Sequence, residues 1–172
     1  MQNQLIRLTY ASTATFKTDI KGGIESEVAR ILLQSRRNNA RIAVGGVLHY
    51  GDGYFFQCLE GEESAVKATL QRISQDQRHR DVQILSNVQI QRRIFEDWSM
   101  KYLAIEKNLL NVIQQHGISQ FNPYEFTVPL IDELLKVCAL GIEPKALASN
   151  KEVTQKADAP WWKRWFGNKQ SA

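Results

Sequence analysis

The chain has 172 residues, 43% hydrophobic and 23% charged. That is room for one domain with an appendage, and enough to bury a core without disulfides or metal. The net charge of +4 suits an anionic ligand as well as nucleic acid and selects neither. No run approaches the ~18 apolar residues of a membrane-spanning helix, and the opening MQNQLIRLTYAS lacks the basic and apolar regions of a signal peptide. Cys58 and Cys138 lie outside any CxxC or ligand cluster, so they read as reduced, buried thiols in a cytoplasmic protein.

Residues 4–11 alternate as a first strand, with Ile6, Leu8 and Tyr10 on one face. A polar loop over 12–23 ends in Gly22-Gly23. The spacing of Ile24, Val28, Ile31 and Leu32 then predicts a helix over 24–37, with Arg36 and Arg37 at the end where the dipole favours cations. Asn38-Asn39 reads as its close, since Asn tolerates left-handed backbone. Residues 42–50 and 54–60 are β-rich, and Gly51-Asp52-Gly53 between them signals a hairpin. A second helix is expected over 62–76, opened by Glu62 and Glu63, with Val66, Leu70 and Ile73 buried. Arg72, Asp76, Arg78 and His79 are placed at its end, where by themselves they read as a solvated charged face. Val82, Ile84, Val88 and Ile90 form a fourth strand with a break near Asn87. Residues 98–105 form a fifth, with Trp98, Met100, Tyr102 and Ala104 on one face.

The order βαββαβ plus one strand predicts an α+β, ferredoxin-like fold with an added fifth strand and both helices on one sheet face. Beyond it, Leu109, Val112, Ile113 and His116 make a helical stripe stopped by Gly117. Asn122-Pro123-Tyr124-Glu125 carries a cap, a proline at the first helical position and a capping-box glutamate, while Pro129 interrupts or restarts that helix. Leu130, Ile131, Leu134, Leu135 and Cys138 form a last stripe, ended by Gly141. These helices are expected on the sheet's other, bare face. From about residue 145 the chain is a polar tail ending in Pro160-Trp161-Trp162-Lys163-Arg164-Trp165-Phe166.

Gln57 stands out, because it sits mid-strand among Phe55, Phe56, Cys58 and Leu59, and such a strand is normally central and buried. A buried amide left unpaired costs ~1–3 kcal/mol. Backbone or water satisfying it is the plain alternative to a ligand. By strand parity Gln57 points with Phe55 and Leu59, and Tyr10 with Ile6 and Leu8. If both faces are the helix-covered one, a phenol and an amide share a buried space. No two of His49, His79 and His116 have metal-ligand spacing, so no metal site is expected.

Together LTYAS with Tyr10, the Asn38-Asn39 pair, GVLHYGDGYFFQCLEGE with Gln57, QRISQDQRH, and FEDWSMKY with Trp98 and Met100 resemble the BLUF domains, blue-light sensors that use FAD, over about residues 4–105. The resemblance implies a photoreceptor with non-covalent FAD held between the two helices. It implies that Asn39 bonds the flavin's pyrimidine edge with Asn38 close by, that Ile31 lines the ring, and that Gln57 lies between Tyr10 and the flavin. Arg72, Asp76, Arg78 and His79 are implied near the ribityl and phosphates. In this scheme Tyr10 and Gln57 carry the photochemistry, and Trp98 and Met100 exchange contacts to relay the signal.

On this reading residues 1–105 are the flavin-binding domain, 106–141 a helical extension and 142–172 a flexible tail. The chain is then not an enzyme. It signals to a separate downstream protein or through a homo-oligomer of its C-terminal helices, without direct nucleic-acid contact. The aromatic-basic tail end either folds back on those helices, docks on a partner or touches a membrane. The competing functions are a small ferredoxin-like phosphatase and a non-photoactive interaction module.

Overall fold

The computed structural model describes residues 4–16, 25–96, 99–103 and 107–140. Five strands form one sheet: β1 (Leu5–Ala14), β2 (Gly45–Gly51), β3 (Tyr54–Glu62), β4 (His79–Gln89) and β5 (Lys101–Tyr102), in the spatial order β4-β1-β3-β2-β5. Helix α1 (Ser26–Arg41) links β1 to β2, and α2 (Glu63–Ser74) links β3 to β4. The four long strands pair antiparallel, and β5 joins β2 in parallel. This is the expected ferredoxin-like arrangement with an added edge strand.

Several boundaries differ from the sequence reading. β1 runs on to Ala14 because both neighbours keep pairing with it, Tyr54 of β3 opposite Thr13 and His79 of β4 opposite Ala14. Ile24 lies outside the described residues; α1 starts at Ser26, where the Glu25 carboxylate accepts from the N–H groups of Glu27 and Val28 at 2.7 and 3.1 Å. α1 also continues through Asn38 and Asn39 to Arg41, so the Asn pair is in the helix and is not its cap. The Asn39 amide is directed away to the Ser99 carbonyl and does not compete for its own helix's backbone groups. The turn is made instead at Ala43, with φ of 51°. α2 stops at Ser74, which leaves Asp76 and Arg78 in the following turn and makes His79 the first residue of β4. The break expected near Asn87 is met two residues away: Thr9 pairs with Ser86 and Tyr10 with Ile84, which leaves Leu85 of β4 unpaired, and a second irregularity follows between Gln83 and Arg80. β5 is only Lys101–Tyr102, and Trp98 and Ala104 lie outside the described residues.

Helices α3 (Lys107–Gln115) and α4 (Val128–Leu140) complete the described chain, with a single 3-10 turn at Pro123–Glu125 between them. Gly117, at φ of 83°, ends the α3 turn as expected. The Asn122 cap opens only the 3-10 turn, accepting from the Tyr124 N–H at 3.2 Å. α4 begins at Val128 because Pro129 is tolerated only in a first helical turn. Gly141 and the whole tail, including Trp161, Trp162, Trp165 and Phe166, lie outside the described residues. No helix among the described residues is long and apolar enough to cross a membrane.

The sheet divides two cores by strand parity. One face carries Leu8, Tyr10, Leu48, Phe55 and Leu59 under Val28, Ile31 and Leu32 of α1 and Val66 of α2. The other carries Val47, Phe56 and Cys58 under Val112, Ile113, Leu130, Leu134 and Leu135 of the C-terminal helices. These helices therefore cover the face left bare, as expected. Cys58 and Cys138 are both free, buried thiols in this second core, and burial pushes Cys138 up to about 12. At the end of the same face, fully buried Glu60 pairs with Arg7 at 2.5 Å and accepts from the N–H groups of Ile94 and Phe95 at 2.8 and 3.0 Å. This clasp fixes where the chain leaves β4 on its way to β5.

β2 and β3 approach closely at Gly46, where φ is 155° and a Cβ would stand 2.0 Å from the Cys58 carbonyl oxygen. A neighbouring backbone atom cannot move aside as a flexible side chain can. Gly46→Ala is expected to cost at least ~2 kcal/mol, read as a lower urea midpoint. An unchanged midpoint would contradict this packing.

Candidate functional site

The first face is not closed everywhere. Between α1 and α2 lies a cleft with about 600 Å³ of empty space, part of it open to solvent. Its first wall is Ile31, Gln34, Ser35, Asn38 and Asn39, and its second is Thr69, Arg72, Ile73 and Asp76. The first set follows i, i+3, i+4, i+7 spacing and is one face of α1; Thr69, Arg72 and Ile73 share one face of α2, and Asp76 extends that wall from the turn after it. Gln57 forms the floor, and Arg78 and His79 close one end.

Tyr10 and Gln57 are direct cross-strand partners on β1 and β3, so both point into the helix-covered core. Tyr10 is fully buried and Gln57 is 2% exposed. The Tyr10 Oη–H donates to Gln57 Oε1. Burial, and secondarily the Asp76 charge, push the Tyr10 phenol far above its ordinary range, so the proton stays on Oη. The other end of the Gln57 amide meets a poor partner: Nε2 donates to the Met100 Sδ at 3.5 Å. A thioether is a weak acceptor, and a buried amide donor so served is only partly satisfied.

Asn39 is 3% exposed and donates through Nδ2 to the Ser99 carbonyl at 3.0 Å. At the cleft's end, Arg78 grips Asp76 with Nε 2.9 Å from Oδ1 and Nη2 2.5 Å from Oδ2, which holds the Asp76 carboxyl below its ordinary range. Arg78 Nη2 also reaches Gln34 Oε1 of α1 at 2.8 Å, tying the two walls together. Arg72 lies exposed on α2, donating to Thr69 Oγ1 at 3.0 Å. His79 is buried, with Nδ1 2.8 Å from Ser12 Oγ and its ring 4.4 Å from that of Phe55. Burial lowers it to about 4. It is a neutral imidazole near pH 7, and positive charge at this end rests on the two arginines.

The structure thus brings together Tyr10, Ile31, Asn38, Asn39, Gln57, Arg72, Asp76, Arg78, His79 and Met100, which are scattered in the sequence. Trp98 lies outside the described residues. The match to the family described as sensors of blue-light using FAD covers residues 5–101, over half the chain. The chain belongs to the BLUF family. The photoactivated adenylate cyclase subunit beta of Euglena longa is 33% identical over 97 residues, 56% of this chain and 11% of that protein. The chain therefore spans about a tenth of the length of such curated relatives. The photo-activated state of BlsA superposes with a TM-score of 0.73 at 31% identity, over 81% of this chain and 97% of that one. The BLUF protein BlrB in its dark state gives 0.67 at 26% identity, over 83% and 100% of the two chains. The phosphatase and passive-module readings find no support here.

FAD is the cofactor of the BLUF family, and this BLUF cleft fits it. The half-served Gln57 donor at the floor needs an acceptor such as a flavin's polar edge. Ile31 and Ile73 offer apolar walls for a ring, and Arg72 and Arg78 suit a diphosphate. Sequence reasoning missed Gln34, Ser35, Thr69 and Ile73 as cleft residues. Their signal was available, since each lies on the same helical face as a residue already singled out.

Two histidines tie stability to pH. His49, whose Nδ1 lies 2.5 Å from the Leu103 carbonyl, is lowered by burial to about 4, as is His79, from the ordinary 6.5. The unfolded chain binds these protons more readily, so their contribution is complete above pH 6.5 and is lost as pH falls towards about 4. The urea midpoint is expected to fall between about pH 7.5 and about pH 5, and a His49→Gln/His79→Gln variant to fall less. Equal drops in the two proteins would refute this linkage.

Proposed function

We propose that this chain is a blue-light photoreceptor whose cleft residues hold FAD and whose Tyr10–Gln57–Met100 line is the switch. The observation that carries the reading is the buried Gln57 amide, bonded firmly at Oε1 and weakly at Nε2, on the floor of the cleft between α1 and α2. Asn39, with Asn38 beside it, is assigned to the pyrimidine edge. Its amide has two N–H donors, and one serves Ser99. Ile31 is assigned to the ring, and Arg72, Asp76, Arg78 and His79 to the ribityl and phosphate end.

When bound, FAD supplies blue-light absorption and an electron acceptor. Tyr10 keeps a proton on Oη, aimed at Gln57 Oε1, and is the electron and proton donor. Gln57 can accept at Oε1 and donate at Nε2, so one side chain passes the proton and then rests in a second rotamer or tautomer. That change removes the Nε2–Met100 contact and frees the segment carrying Met100. Trp98 is assigned to the same relay. It is a local hydrogen-bond change read by a short packing element.

The BLUF domain is a photosensor. We read the chain as having no enzymatic activity of its own and as passing its signal to a separate protein, with a homo-oligomer through α3 and α4 as the other route. Residues 1–105 are taken as the sensor, 106–141 as its helical extension and 142–172 as a tail. The protein is assigned to the cytoplasm.

The purified protein is expected to carry FAD and to show a small, reversible red shift of its flavin bands under blue light. Tyr10→Phe and Gln57→Leu should bind flavin and lose that shift, since neither replacement can move a proton. A normal shift in either variant would sink the mechanism. Asn39→Ala should weaken FAD retention about tenfold, or ~1.4 kcal/mol, measured by equilibrium dialysis.

Removing residues 156–172 should leave spectrum and photocycle unchanged. Loss of FAD on truncation would show that the sensor extends into the tail.

A further inference from the structure

β5 is held by little of the sheet. Its two residues pair with Val47 and Leu48, and Leu103 adds one bond from its N–H to the Leu48 carbonyl at 2.8 Å. The segment entering it is held from α1 instead. Arg36 Nε donates to the Met100 carbonyl at 2.9 Å, and Asn39 Nδ2 donates to the adjacent Ser99 carbonyl at 3.0 Å. Residues three apart lie on one helix face, so the last turns of α1 grip two successive peptide groups. Met100 itself is 2% exposed and meets Gln57 through Sδ.

Asn39 lines the cleft, and Arg36 does not. Arg36 touches the switch only through the Met100 backbone. We propose that Arg36 is a positioning residue of the light switch: by pinning the Met100 carbonyl to α1 it keeps the thioether seated on Gln57, and so sets how quickly the network returns to its dark arrangement. A charge-assisted bond to a carbonyl is among the stronger ones a side chain makes. Without it the Ser99–Met100 stretch keeps only the Asn39 amide among these two grips from α1, while the bonds further on, from Lys101 to the Cys138 carbonyl and from His49 to the Leu103 carbonyl, lie beyond Met100. A loosened segment admits water to Gln57, and water offers the amide alternative partners while it turns back. Recovery then becomes faster, while light capture, which depends on Tyr10, Gln57 and the cleft, is unaffected.

The kinetic arm rests on the photoreceptor reading, and the exchange arm does not. Hydrogen–deuterium exchange of residues 99–103 is measured in the dark for wild type, Arg36→Ala, Arg36→Lys and the control Arg37→Ala, an exposed neighbour on the same helix. Dark recovery is then followed by absorbance after a blue pulse. Arg36→Ala should keep FAD and the red shift, lose protection over 99–103 and recover about fivefold faster. Arg36→Lys, which keeps one cationic donor, should fall between, and Arg37→Ala should match wild type.

Wild-type protection and recovery in Arg36→Ala would overturn the proposal. So would loss of FAD with secondary structure intact, which would make Arg36 a cofactor ligand. Should Arg36→Ala fail to fold, Arg36→Lys decides by the same two measurements. If wild type itself shows no light-induced shift, the photoreceptor reading fails, and dark exchange still decides whether Arg36 pins the segment.

Discussion

Tyr10 and Gln57 stand opposite each other on β1 and β3, under two helices, and most of the molecule's other choices derive from keeping that pair dry and in register. The side-chain period of a strand is two, so a slip of one residue would send both groups to the opposite face. Register is therefore specified on both sides of the sheet at once. Leu8 and Leu59 pair beside the couple on the same face, while Thr9 and Cys58 pair on the other. The direct contact between β2 and β3 at Gly46 removes freedom from the strand next to it. A phenol buried this thoroughly stays protonated, and its hydrogen can point only where the adjacent strand supplies an oxygen.

Two cores separate the cleft from the C-terminal helices. The face under α1 and α2 is left incomplete, and its opening is lined by polar side chains at helical spacing. The face under α3 and α4 is filled with aliphatic and aromatic side chains. β5 is the element with ties to both. Met100 belongs to the first core and Leu103 to the second, and His49 fastens that junction to β2 through the Leu103 carbonyl. Glu60 sets the other end of the same connection by holding Ile94 and Phe95. The connection is thus held at both ends.

Much of this was legible in the sequence. The alternation in residues 4–11, the Gly-Asp-Gly turn and the stripes of both helices each have a local cause, and parity told which neighbours Tyr10 and Gln57 point with, while the pairing of β1 with β3 decided that they share a face. Boundaries were less legible where tertiary partners decide them. Asn38 and Asn39 have the chemistry of a helix cap, but the carbonyl of Ser99, sixty residues away, gives Asn39 a better use, and α1 runs on. His79 looked like the end of a charged helix. Pairing with Ala14 makes it a strand residue, and burial strips it of charge. Pro129 left open whether the helix was interrupted or restarted, and with the preceding turn a separate 3-10 turn it belongs to a fresh helix start.

By itself, then, the chain's pattern determined the element order, the two-faced sheet and the identity of the polar residues that cannot be core. These depend on periodicity and backbone preference, which act over a few residues. Only the folded molecule decided that Gln57 is satisfied at one end and short of a partner at the other. The same holds for the salt bridge of Arg78 with Asp76 spanning to Gln34, and for Arg36 reaching the Met100 backbone. Each of these joins groups from separate elements, and whether a donor meets an acceptor is set by ångström-scale distances that no local propensity carries.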